Sequence, residues 1–136
     1  SSQISSRRSL EWTAEDRRWL KRAVEAYQRA AALEPFSYAH RFELARLMLW
    51  IGQQDEAKLY FDRVVELEPN FLPAREALVR LEVESGRMDM ADKEYQEIVA
   101  RLKQLTPRVT NQLEHSFLQV DTAGLEAMLA GKVTRS

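Results

Sequence analysis

Ala23, Ala57 and Ala91 stand 34 residues apart, and an aromatic follows each by four residues: Tyr27, Phe61 and Tyr95. Seven residues after each alanine come Ala30, Val64 and Ile98. The same interval separates Pro35 from Pro69, Gly52 from Gly86, Leu44 from Leu78, and Leu47 from Leu81. Spacings of four and seven put the small, aromatic and apolar positions on one face of a helix. Their recurrence with turn and proline columns predicts an all-α helical repeat array. Such arrays display a surface to partners and generally carry no chemistry of their own.

The breakers divide the chain. Residues 1–12, with dibasic Arg7-Arg8, read as a polar linker or loose terminus. Thr13 is placed to cap a helix over 14–34, with Glu15 and Asp16 at the positive end of its dipole. Ser37 is placed to cap a helix over 38–51, which Gly52 turns into another over 54–68 that stops at Pro69. The cycle repeats with helices over 71–85 and 88–105 around Gly86, Pro73 being tolerated in the first turn. The array is thus a half repeat at 13–35 and repeats at 38–69 and 72–105. Segment 106–131 then supplies capping helices. One of these spans 107–120 with an apolar stripe of Val109, Leu113 and Phe117, and a short last helix runs from Asp121 to Gly131. Residues 132–136 read as a loose tail.

Composition narrows the function. The formal charge of -1 gives no field to hold nucleic acid or a membrane surface. Cysteine is absent, which removes disulfides, thiolate nucleophiles and zinc–sulfur sites. No apolar run approaches the roughly 18 residues of a membrane span. Glu114-His115 has no metal-ligand companion at helical spacing, and His40 is the other histidine. No metal, cofactor, catalytic triad or phosphate-cradling loop is therefore expected, and no enzymatic activity. The basic cluster Arg17, Arg18, Lys21 and Arg22 is interspersed with Glu15, Asp16 and Glu25 and reads as a solvated face. The chain begins at Ser1 without a methionine, so a piece of a longer protein is expected, with any targeting or membrane segment outside it.

These columns resemble the tetratricopeptide repeat. That family has a small residue at the eighth position of the repeat, filled here by Ala45 and Val79. Ala23, Ala57 and Ala91 match the twentieth position, Tyr27, Phe61 and Tyr95 the twenty-fourth, and Pro35 and Pro69 the thirty-second. At the fourth position, often tryptophan, this chain has Arg41 and Arg75, and Arg18 stands where the first repeat's turn glycine would be. The resemblance implies antiparallel helix pairs stacked into a right-handed superhelix, whose first helices line a concave groove. A weaker resemblance, in the run from Asn70 through Ala91 and the Glu114–Asp121 segment, is to the C-terminal repeat region of bacterial O-antigen ligase or polymerase-like membrane proteins. It implies an extracytoplasmic accessory domain. Without it the compartment stays open, the cytoplasm being the other reading.

Carried over position by position, the groove residues are Ala39, Phe42, Arg46 and Leu49 in one repeat and Pro73, Glu76, Arg80 and Val83 in the next. Arg46 and Arg80 share one position a period apart. Their guanidinium forks suit an acidic or C-terminal peptide carboxylate, with Phe42, Leu49 and Val83 as apolar contacts. The alternative is that they pair with Glu43, Glu76 or Glu84 and only solubilise the face. The asparagines of a chaperone-tail clamp have no counterpart, since Glu43 and Ala77 occupy the sixth positions. Trp12, Trp19 and Trp50 serve either as interface anchors or as packing against neighbouring helices or a missing preceding repeat. The expected function is a protein-interaction module for a peptide or partner domain. Self-association through an exposed end face and the accessory-domain role are the alternatives.

Overall fold

The structure is a computed structural model that describes residues 12–135, with residues 132–135 described by their backbone alone. Among them run α1 (Ala14–Leu33), α2 (Tyr38–Ile51), α3 (Gln54–Leu67), α4 (Leu72–Glu84) and α5 (Met88–Leu105). A 3-10 turn (Thr106–Arg108), α6 (Gln112–Phe117) and α7 (Thr122–Arg135) follow. The fold is all-helical, and consecutive helices pack in pairs as in a tetratricopeptide-like array. It divides into two compact units between Leu67 and Glu68.

In the N-terminal unit, Thr13 and Asp16 form a reciprocal cap: the Asp16 amide donates to Thr13 Oγ1 at 3.0 Å, and the Thr13 amide to Asp16 Oδ2 at 3.2 Å. Gly52, at φ 92°, ends α2 in the left-handed conformation that an L side chain resists. Ala57 is fully buried, and its lack of side-chain bulk lets α2 and α3 approach closely; Phe61 and Val64 are buried beside it. A second cluster joins Trp12, Leu20 and Leu47, with Ala23, Val24, Tyr27, Trp50 and Ile51 packed against it. Trp12, assigned from sequence to a polar terminus, is 8% exposed and belongs to this core. Residues 1–11 of that segment lie outside the described residues. Ser37 holds the N-cap position of α2, but its side chain makes no capping bond.

The C-terminal unit repeats the plan around Gly86, at φ 79°. Its core is Leu72, Val79, Val83, Ala91, Tyr95, Ile98 and, from α7, Leu125. α7 packs on both α4 and α5 and so covers the apolar face that the helix pair presents. The sequence stripe of Val109, Leu113 and Phe117 is not one helical face. Pro107 tightens the chain into the 3-10 turn, and Val109 is extended at ψ 128°. Asn111 then starts a new helix by accepting the Glu114 amide at 2.9 Å. Leu113 consequently points to solvent, 68% exposed, while Phe117 stacks edge-on against Phe71 at 5.4 Å. The covering role falls to Leu125, with Leu118, Val120, Met128 and Leu129. Asp121 caps α7 by accepting the Gly124 amide at 3.0 Å. α7 also runs past Gly131 to Arg135, since a half-buried glycine weakens a helix without ending it.

Candidate partner-binding surface

α2 carries Phe42, Arg46 and Leu49 at spacings of four and three, which groups them on one face. Its other face holds Leu44, Ala45, Leu47 and Met48 in the core. Phe42 is half-buried because its ring meets Phe61 edge-on at 5.8 Å. The Arg46 guanidinium sits 5.9 Å from the centre of the Phe42 ring, an exposed cation–π contact worth about 0.5–1 kcal/mol. Among the described residues its one ion pair is with Glu43 at 3.3 Å, between side chains 51% and 41% exposed. Such a pair contributes about 0.2–1 kcal/mol and yields readily to a better-placed carboxylate. Phe42 thus sets the height and direction of a cation that keeps donor capacity to spare.

The matching position of α4 is different. Arg80 donates from Nη2 and Nε to Glu76 Oε2 at 2.9 and 3.2 Å. Its Nη1 lies 3.2 Å from Met128 Sδ, and Nη2 lies 3.5 Å from Asp121 Oδ2. Glu76 is held in turn, since the Asp121 amide donates to its other oxygen at 3.4 Å. The start of α7 therefore fastens onto Arg80 and Glu76. Val83, expected as an apolar contact for a ligand, is 2% exposed and lies in the core with Leu125. Ala39 is exposed and Pro73 half-buried in the first turns of α2 and α4.

Of the two arginines at the fourth repeat position, Arg75 has become structural. Arg75, 7% exposed, donates to the Pro69 carbonyl at 2.9 Å and to Glu94 at 2.9 Å, tying α4 to α5. Arg41, one period earlier, reaches only the Ser37 carbonyl at 3.3 Å. Glu82 is buried and accepts from Arg87 at 2.6 Å.

Sequence reasoning missed a cleft of about 510 Å³ in the N-terminal unit. It is lined by Trp12, Arg17, Leu20, Lys21, Val24 and Glu25, with Met48 and Ile51 from α2. A signal for it was present. Leu20 and Val24 fall one period before Gln54 and Lys58, so α1 carries an apolar strip where α3 is polar. Trp50 packs into the adjoining core, and Trp19 is 44% exposed.

No protein-family model matches the sequence. Among curated proteins, the chain is similar to a tetratricopeptide repeat and J domain-containing co-chaperone of Fusarium oxysporum f. sp. lycopersici, 33% identical over 73 residues. That match covers 54% of this chain and 14% of the relative, so the chain spans a small part of that protein's length. Among the described residues no helix is long and apolar enough to cross a membrane. The matched relative lends nothing to the resemblance to O-antigen ligase. What the match and the helix pairs support together is a tetratricopeptide-like helical array, of a kind associated with protein partners.

Proposed function

We propose that this chain is a non-catalytic protein-interaction module that binds an acidic or C-terminal peptide segment, or a partner domain, through the first helices of its pairs. Arg46 supplies the charged contact, with Phe42 and Leu49 as the apolar contacts beside it. The observation that carries this reading is Arg46 itself: half exposed, held over Phe42, and paired only at 3.3 Å with an exposed carboxylate. A peptide carboxylate meeting its two terminal nitrogens would form the bidentate geometry that Glu43 does not provide. Arg80 and Glu76 serve as a second, more constrained polar position on α4, since Arg80 must leave Glu76 before it can bind a ligand.

The test is an array of synthetic peptides with free and amidated C-termini, probed with the wild-type chain and with Arg46→Ala and Arg80→Ala. Hydrogen bonds to charged groups contribute about 1.5–3 kcal/mol each, so Arg46→Ala should weaken the best free-carboxylate peptide by about tenfold or more. Arg80→Ala tests the α4 position by itself on the same array. An Arg46→Ala protein that keeps every interaction at unchanged affinity removes the proposal.

A further inference from the structure

We infer that the cleft beside Trp12 is a second recognition site, which takes an amphipathic helix of a partner protein with apolar side chains on one face and acidic residues flanking them. The site is separate from the Arg46 face, and it stands or falls independently of that reading.

The shape of the cleft argues for a helix. α1 and α2 lie side by side, and the groove between two packed helices accepts the side-chain ridge of a third. By its register with Ala57 and Ala91, α1 matches the second helix of a repeat, like α3 and α5. Those two each pack against a first helix directly before them, α2 and α4. Among the described residues α1 has none, and its cleft-facing positions Leu20 and Val24 are apolar where α3 has Gln54 and Lys58. Trp12, Met48 and Ile51 complete an apolar floor sized for a short row of leucine-like side chains.

The charge of the rim argues for an acidic partner. Arg17 and Lys21 line the cleft, and Arg18 and Arg22 continue the cationic surface round α1. All four are exposed, and none has a side-chain hydrogen bond or ion pair among the described residues. Glu25 is the one acidic residue in the lining. Elsewhere in the same unit, Arg46, Lys58 and Arg63 each pair with a carboxylate three or four residues away on their own helix. A concentration of unpaired cations beside an apolar floor fits carboxylates on the flanks of an incoming helix and repels a basic one.

The experiment uses the full chain and two fluorescein-labelled synthetic helices. Both carry leucines spaced to fill one face; one is flanked by glutamates and the other by lysines. The glutamate helix should bind, more weakly as salt rises, and should move the Trp12 indole resonance. Arg17→Glu with Lys21→Glu, both at exposed positions, should reduce that affinity at least tenfold at an unchanged circular dichroism spectrum. Arg46→Ala should leave it unaltered. Equal binding of both helices, or no effect of the double substitution, overturns the inference. So does concentration-dependent self-association that the double substitution abolishes, because the cleft would then belong to a second copy of the chain.

Discussion

Arg46 and Arg80 occupy the same position in successive repeats with side chains 51% and 40% exposed, yet they differ in their partners. Among the described residues Arg46 has an aromatic beneath it and a single exposed ion pair. Arg80 is held by Glu76 on its own helix, by Asp121 at the cap of α7 and by Met128 in the middle of α7. The contrast extends to the whole of each unit. The C-terminal unit is covered by α7, with Leu125 fully buried, while among the described residues the N-terminal unit keeps a cleft beside α1. A repeat fixes which residues recur, but neighbours decide what they do. A position becomes structural where a later helix lies on it and stays available for recognition where none does.

The largest effect should come from uncovering the C-terminal unit. Leu125→Ala removes a fully buried side chain from the cluster of Leu72, Val79, Val83 and Ile98 and should cost about 2–5 kcal/mol. Whole domains are stable by only about 5–15 kcal/mol, so a chain ending at Leu105 should lose cooperative unfolding or aggregate. Hydrogen exchange should then report lost protection first in α4 and α5. If the shortened chain melts like the full one and stays monomeric, α7 does not seal the unit and the contrast between the units disappears.

A smaller effect separates the two arginines at the fourth repeat position. Arg75→Ala leaves the Pro69 carbonyl and Glu94 without their partner at a site 7% exposed. Breaking a buried pair in this way costs about 3–5 kcal/mol, and the low end applies because the Glu94 side chain keeps 24% exposure. Arg41→Ala removes one 3.3 Å bond to a backbone carbonyl and should cost about 0.5–1.5 kcal/mol. Denaturant titrations of the two variants check the difference. Equal losses would mean that Arg75 stabilises by packing its stem and not through Glu94.

Much of the fold was legible because its determinants are local or periodic. Thr13 with Asp16, Gly52, Gly86 and the alanine columns each act within a few residues or recur every 34. The contacts of Arg80 with α7 were not legible, because Met128 lies 48 residues away and belongs to no repeat. The Arg75–Glu94 tie escaped for a related reason. Its counterparts one period earlier are Arg41 and Tyr60, so the pair forms no column. Val109, Leu113 and Phe117 misled because four-residue spacing fits a helix, while the turn at Pro107 and the cap at Asn111 fix a later start. Of the candidate site, α2's face could be read from the repeat register. The burial of Val83 could not, since it depends on Leu125.

The smallest effect is a titration that reads the same contrast at the aromatic column. Phe61 fills that column in the N-terminal unit and has no proton to lose; Tyr95 fills it in the C-terminal unit, and its hydroxyl donates to Glu126 of α7 at 2.6 Å. Burial first, then this hydrogen bond and the negative charge of Glu126, push the Tyr95 pKa from 10.0 up to about 12. The folded state therefore holds this proton more tightly than the unfolded chain does. Its contribution to stability is fully present below about pH 10 and is lost as pH rises from there toward 12. Tyrosinate absorbance, followed while circular dichroism is still native, should contain a late step that belongs to Tyr95. Tyr95→Phe should abolish that late step, making this column match Phe61, whereas Glu126→Gln should shift it only part of the way down because burial persists. Were no late step to appear, α7 would not be covering Tyr95 in solution. Enclosure by a following helix would then no longer distinguish the two units.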